Sequence, residues 1–146
     1  MKRILVVHGP NLNLLGTREP ETYGRVTLEE IDTRLRRTAS EGGVYLETFQ
    51  SNSEGDLVTK IQGAGGVFDW VILNLGALSH TSIAIRDALA GSRVRGIEVH
   101  LTNPHRREAF RHNSTIADLV VGRIMGFGDH SYDLALRVAL EDWAAP

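Results

Sequence analysis

The chain has 146 residues, 42% of them hydrophobic and 23% charged, with a formal net charge of -2. These are the proportions of a soluble globular protein, and we expect one domain over residues 1–146, large enough to bury roughly two-thirds of its unfolded surface. Such a charge offers no basic face for nucleic acid or membrane, no apolar run approaches spanning length, and the lack of cysteine excludes a disulfide framework, a thiol nucleophile and a Cys-ligated metal. The first residues enter a strand directly with no signal-peptide pattern, so a cytoplasmic location is expected.

Apolar strand-like runs alternate with helical patterns. The strands are expected at roughly 3–8, 44–49, 69–74, 96–101 and 119–125. After the first, Thr27 with Glu30 three residues on reads as a capping box, and Ile31 and Leu35 continue an apolar face to Gly42-Gly43. A second helix is expected from about Ser53, where Glu54 and Asp56 suit an N-terminus, to Gly65-Gly66. A third starts near Thr81 and carries Ile83, Ile85, Ala88 and Leu89; a last one, about 130–144, carries Leu134, Leu136, Val138 and Leu140. Arg25, Arg34, Arg36 and Arg37 read as a solvated helix face. The pattern predicts a flavodoxin-like doubly wound α/β fold, a five-stranded parallel sheet in order 2-1-3-4-5 covered on both faces. Ligands of such sheets bind outside the carboxyl ends of the strands, near the switch point. That rule selects Gly9–Tyr23, Asn74–His80 and Glu98–His105, and all three segments carry unusual polar residues.

The first of these loops is rich in Gly, Pro and Asn yet carries Arg18 and Tyr23, a phenol with a cation close in sequence and hence a candidate base. In strand 4, Glu98, His100 and Thr102 alternate onto one face of what is normally a continuous apolar run. Glu98 is two residues from His100, so its carboxylate is able to orient the ring. A satisfied polar pair at a strand end is the plainer account, but its position opposite Arg18 and Tyr23 favours a site. In the loop after strand 3, Ser79 or Thr81 suffices as an N-cap, which leaves Asn74 and His80 as free hydroxyl-binding groups. The loop from Asn103 to His112 supplies anion anchors; Arg111 is the expected one, with Arg106 and His112 solvated.

Other chemistries fit less well. Gly63-Ala64-Gly65-Gly66 follows a helix and not a strand, so it is no dinucleotide fingerprint, and no P-loop is present. His100, His105 and Glu98 form no compact metal-ligand pattern. The acidic cluster of a receiver domain is replaced after strand 1 by His8-Gly9-Pro10, and Pro10-Asn11-Leu12-Asn13 only weakly resembles a flavin phosphate loop.

Taken together, the run Gly9-Pro10-Asn11-Leu12-Asn13-Leu14-Leu15-Gly16-Thr17-Arg18-Glu19-Pro20 with Tyr23-Gly24, then Gln50-Ser51-Asn52, Asn74 with Gly76-Ala77, His80-Thr81-Ser82, Glu98-Val99-His100-Leu101, and Arg107-Glu108 with Phe110-Arg111-His112 resembles the type II 3-dehydroquinate dehydratases (type II dehydroquinases). The likeness runs in order through essentially the whole chain. It implies dehydration of 3-dehydroquinate to 3-dehydroshikimate, by anti elimination through an enolate, in the shikimate pathway or quinate catabolism, with no metal and no organic cofactor. By this resemblance Tyr23 removes a C2 proton with Arg18 nearby, Asn11 positions a water that stabilises the enolate, and His100, oriented by Glu98, protonates the leaving C1 hydroxyl. Asn74, His80 and Arg111 would hold substrate hydroxyls, and the Leu101 and Thr102 amides with the Thr102 hydroxyl its carboxylate. Asp87 would reach a neighbouring subunit's site in a dodecamer built from trimers, and residues 18–25 would form a lid. Thr102 stands where the family usually has Ser, Leu75 where it has Pro or Ala, and His8 where Asn or a small apolar residue is more frequent; none of these removes a chemical group. A non-catalytic relative that binds a cyclic polyhydroxy acid is the alternative, and the intact set Asn11, Arg18, Tyr23, Glu98 and His100 argues against it.

Overall fold

A computed structural model describes residues 1–144 and 146. Its sheet has five strands, β1 (Arg3–His8), β2 (Tyr45–Gln50), β3 (Trp70–Asn74), β4 (Arg95–His100) and β5 (Gly122–Met125), in spatial order β2-β1-β3-β4-β5. Every pairing is parallel, as expected. Helices α1 (Pro20–Tyr23), α2 (Leu28–Glu41), α3 (Glu54–Gln62), α4 (Ile83–Ser92) and α5 (His130–Leu140) connect or follow the strands. Alternation along each strand divides the core in two. Ile4, Val6, Trp70, Ile72, Ile97 and Val99 pack with α2 and α5, while Leu5, Val7, Val71 and Leu73 pack with α3 and α4.

Caps set the helix starts. Thr27 and Ser53 accept the amides of Glu30 and Asp56, the predicted arrangement. The cap of α4 is Ser82, which accepts from Ile85, and not Ser79 or Thr81; Ser79 donates instead to the Gly76 carbonyl. β5 begins three residues later than predicted, because residues 115–119 form a turn and the Val121 amide is the first to reach Gly96. α5 stops at Leu140, where Asp142 takes a left-handed backbone (φ 52°) and the Trp143 amide closes onto Val138. Ile83 and Leu134 point outward and are exposed, although the apolar pattern included both. Arg34 is not simply solvated, since it grips Asp129 and Asp133 of the α5 entrance at 2.8 Å each.

The carboxyl ends of β1 and β3 are drawn together by a close backbone approach. The Gly9 amide donates to the Asn74 carbonyl at 2.7 Å, and a Cβ on Gly9 would lie 2.3 Å from the Leu75 carbonyl oxygen. Only glycine fits there. This contact aligns the loop after β1 with the loop after β3.

Candidate active site

A cleft of about 670 Å³, mouth included, opens above the carboxyl ends of β1, β3 and β4. Asn11, Arg18 and Tyr23 line it from the β1 side, Asn74 and His80 from the β3 side, and His100, Leu101, Thr102 and Arg111 from the β4 side. Glu98 lies behind His100, fully buried. Asp87 is exposed on α4 and lines a separate shallow depression with Gln62 and Gly91, so one chain does not bring it to the cleft.

The Glu98–His100 pair follows from strand geometry, because residues two apart on β4 face the same way. His100 Nε2–H donates to Glu98 Oε2 at 2.6 Å, and Nδ1 has no protein partner among the described residues. The other carboxylate oxygen, Oε1, accepts from Ser114 Oγ and Arg123 Nε, each at 2.9 Å. Arg123 sits directly across from Glu98 in the β4–β5 register. Burial resists ionisation of Glu98, but the His100 hydrogen bond and charge, the Arg123 charge and the Ser114 hydroxyl outweigh it and hold the carboxyl below its ordinary range. The carboxylate is thus ionised at neutral pH and fixes the proton of His100 on Nε2. His80 stacks on His100 with centroids 6.3 Å apart, and its Nδ1 meets the Asn113 carbonyl at 2.8 Å, which leaves Nε2 as its free acceptor.

Across the cleft, Tyr23 is half-buried at the end of α1. Two guanidinium groups flank its ring, Arg18 with Cζ 5.0 Å and Arg107 with Cζ 5.4 Å from the centroid. Both distances are within the range of cation–π attraction. The segment that carries Tyr23 is entered through Glu19 (φ 40°), a non-glycine residue in the left-handed region, and left through Gly24 (φ 82°). Asn11 also holds a left-handed conformation (φ 70°), stabilised by its amide donating to Asn52 Oδ1 at 3.0 Å. Gln50 Nε2 braces the same turn through the Gly9 carbonyl and Asn52 Oδ1.

Several of these supports were not assigned a role from sequence. Arg107 both flanks Tyr23 and donates to Thr102 Oγ1 at 3.3 Å, so the added methyl of Thr102 leaves its hydroxyl engaged. Its place in the Arg107-Glu108 motif and its spacing of five residues from Thr102 were the available signals. His112, expected to be solvated, donates to the Arg107 carbonyl at 3.0 Å and stacks loosely on His105. Arg111, the expected anchor, is paired with Glu108 at 3.1 Å and still reaches the cleft, whereas Arg106 is exposed as predicted. Outside the cleft, Asp129, His130 and Asp133 cluster at the α5 entrance, but Arg34 already neutralises both carboxylates.

The model of the family described as "Dehydroquinase class II" matches residues 2–140. A 3-dehydroquinate dehydratase of Geotalea daltonii is 55% identical over 135 residues, covering 92% of this chain and 94% of that protein. One from Hahella chejuensis is 55% identical over 141 residues, covering 95% of each. Among solved structures, the type II dehydroquinase of Propionibacterium acnes superposes with a TM-score of 0.93 at 41% identity, covering 97% of this chain and 98% of that one. With its parallel sheet, its cleft above the switch point and a match spanning nearly its whole length, the chain belongs to the type II dehydroquinase family.

Proposed function

We propose that this protein is a 3-dehydroquinate dehydratase that forms 3-dehydroshikimate and water in the shikimate pathway, or in quinate catabolism. The observation that carries the reading is a phenol flanked by two cations facing, across one cleft, a histidine held by a buried carboxylate. Such a pair supplies a base and an acid on opposite sides of a ring, as anti elimination requires. Tyr23, as phenolate, takes the C2 proton. The electrons of that bond pass toward the C3 carbonyl and form an enolate, whose charge a water held by Asn11 stabilises. The enolate collapses to the C1–C2 double bond as the C1–O bond breaks, and His100, entering the step with both ring nitrogens protonated, gives the departing hydroxyl its Nδ1 proton while Nε2–H stays on Glu98. One proton returned from Tyr23 to His100 through solvent resets the site.

The remaining roles are those the family resemblance implies for residues that line this cleft. Asn74, His80 and Arg111 bind hydroxyls. The Leu101 and Thr102 amides, with the Thr102 hydroxyl that Arg107 engages, hold the carboxylate. Arg18, beside Tyr23, favours the charge the base must carry. Residues 18–25 act as the lid, with Glu19 and Gly24 as its hinges. The finer expectations extend this reading: a single domain, a cytoplasmic location, and a homo-dodecamer of trimers in which Asp87, exposed on α4, completes a neighbouring site. No step draws on a metal or organic cofactor. The test is ultraviolet absorbance of chelator-treated protein mixed with 3-dehydroquinate. Growth of the conjugated enone of the product supports the reading; binding by calorimetry without that growth would make the protein a binder of cyclic polyhydroxy acids instead.

A further inference from the structure

Beneath the cleft lies a buried polar chain that the reaction does not use directly. Asn74 Nδ2 donates to the Tyr132 hydroxyl at 2.9 Å, that oxygen meets His8 Nδ1 at 2.8 Å, and His8 Nε2 meets Asp32 Oδ1 at 2.7 Å. His8 and Tyr132 are fully buried, and Asn74 is 3% exposed. The four residues come from β1, α2, the end of β3 and α5, and so tie both layers of helix and sheet on one face to a single cleft residue.

Counting donors leaves one arrangement. The Gly76 amide donates to Asn74 Oδ1 at 3.3 Å, which turns the amide nitrogen of Asn74 toward Tyr132. The Tyr132 oxygen therefore accepts from Asn74, and burial pushes the ionisation of this hydroxyl far up, so it keeps its proton. Among the described residues that proton has one acceptor within reach, His8 Nδ1, provided the ring carries its own proton on Nε2. Asp32 supplies the acceptor that keeps it there. Any other assignment sets two N–H groups against each other or strands a buried hydroxyl proton, which costs far more than a satisfied bond returns.

We propose that Tyr132, held by His8 and Asp32, is a positioning residue that locks the Asn74 amide in one orientation and thereby fixes which of its atoms the substrate meets. With Oδ1 committed to Gly76 and one Nδ2 proton to Tyr132, Asn74 offers its second Nδ2–H to a substrate hydroxyl oxygen. Without Tyr132 the orientation rests on the longer 3.3 Å contact from Gly76 alone, and the flipped amide, which presents the wrong polarity to substrate, becomes populated. The proposal rests on the dehydratase reading of the cleft.

The test is Tyr132→Phe, measured with 3-dehydroquinate in the native background and again in Asn74→Ala. The expected result is a KM about tenfold higher with kcat changed less than about threefold, the size of one neutral hydrogen bond, and less than a twofold further effect once Asn74 is gone. An equal loss in both backgrounds, or no loss in the first, would overturn it. Nitrogen-15 NMR of the unmodified protein gives an independent reading should the variant not fold. The His8 ring must show a protonated Nε2 and a bare Nδ1, and a proton on Nδ1 would overturn the lock. If the unmodified protein fails to turn over 3-dehydroquinate, the dehydratase reading falls, and the imidazole spectrum still decides the network.

Discussion

Replacing Glu98 with glutamine changes one buried oxygen into an NH2 group and leaves the shape intact. In the native protein Oε1 accepts from Ser114 and Arg123, and Oε2 accepts from His100 Nε2–H. The amide oxygen of glutamine retains the first two bonds, so its NH2 must face His100 and donate to Nε2. That moves the ring proton to Nδ1 and forbids a second one, because an N–H on Nε2 would then oppose the amide hydrogens. In the proposed mechanism His100 then lacks the second ring proton it would give to the leaving hydroxyl. A general acid is worth about 10²–10⁴ in rate, or about 3–5 kcal/mol of barrier. Stability should fall much less. Breaking a buried ion pair outright costs about 3–5 kcal/mol, but here both hydrogen bonds on Oε1 survive and Arg123 remains partly solvated, so about 1–2 kcal/mol is expected. Steady-state kinetics on 3-dehydroquinate, with thermal unfolding of the same preparation, separate the two effects. Glu98→Gln with kcat within threefold of the parent would refute this account of the acid.

Arg107→Ala removes a positive charge 5.4 Å from the Tyr23 ring, worth about 1–3 kcal/mol against a phenolate depending on effective dielectric, and also frees the Thr102 hydroxyl. Both kcat and KM should worsen, with kcat/KM down about 10–100-fold; an unchanged kcat would mean the charge does not act on the base. The lowered ionisation range of Glu98 predicts a stability contribution fully present above its ordinary value of 4.5 and lost as pH falls through its lower folded value. The unfolding temperature should drop as pH falls through that acid window, and Glu98→Gln should lose this component of the drop; identical profiles would contradict it. Gly9→Ala drives a methyl group to 2.3 Å from the Leu75 carbonyl, so the β1 and β3 loops must separate. A loss of about 2 kcal/mol or more in urea unfolding, together with much reduced turnover, is expected, and a neutral result would show that the two loops are free to move apart.

The strands, the helix starts and the loops that line the cleft were legible because each depends on local chemistry, and the sheet order followed from the doubly wound pattern that their alternation fits. Apolar runs mark β1 and β3, Thr27 and Ser53 mark helix starts, and the switch-point rule selects the loops. What escaped depends on which strands and helices become neighbours. Arg123 meets Glu98 only through the register of β4 on β5, across 25 residues of sequence, and nothing local marks it. His112 reads as a surface histidine until the turn after β4 folds it onto Arg107. Arg34 reads as one arginine in a solvated row, yet α5 presents Asp129 and Asp133 to it alone. His8 reads as one residue beneath a loop, and only the packing of α2 and α5 on the sheet gives it Asp32 and Tyr132 as partners. Ser82 displaces Thr81 as a cap because a 3-10 turn through His80 shifts the start of α4 by one residue.

The central claim is that Tyr23 is the base. Tyr23→Phe removes one oxygen from a ring that stays packed between Arg18 and Arg107. Turnover of 3-dehydroquinate and calorimetric binding of the same compound are measured on this variant and its parent. The account predicts turnover reduced by at least about 10²–10⁴ with affinity changed by less than about tenfold. Turnover at the parent rate in Tyr23→Phe would contradict it.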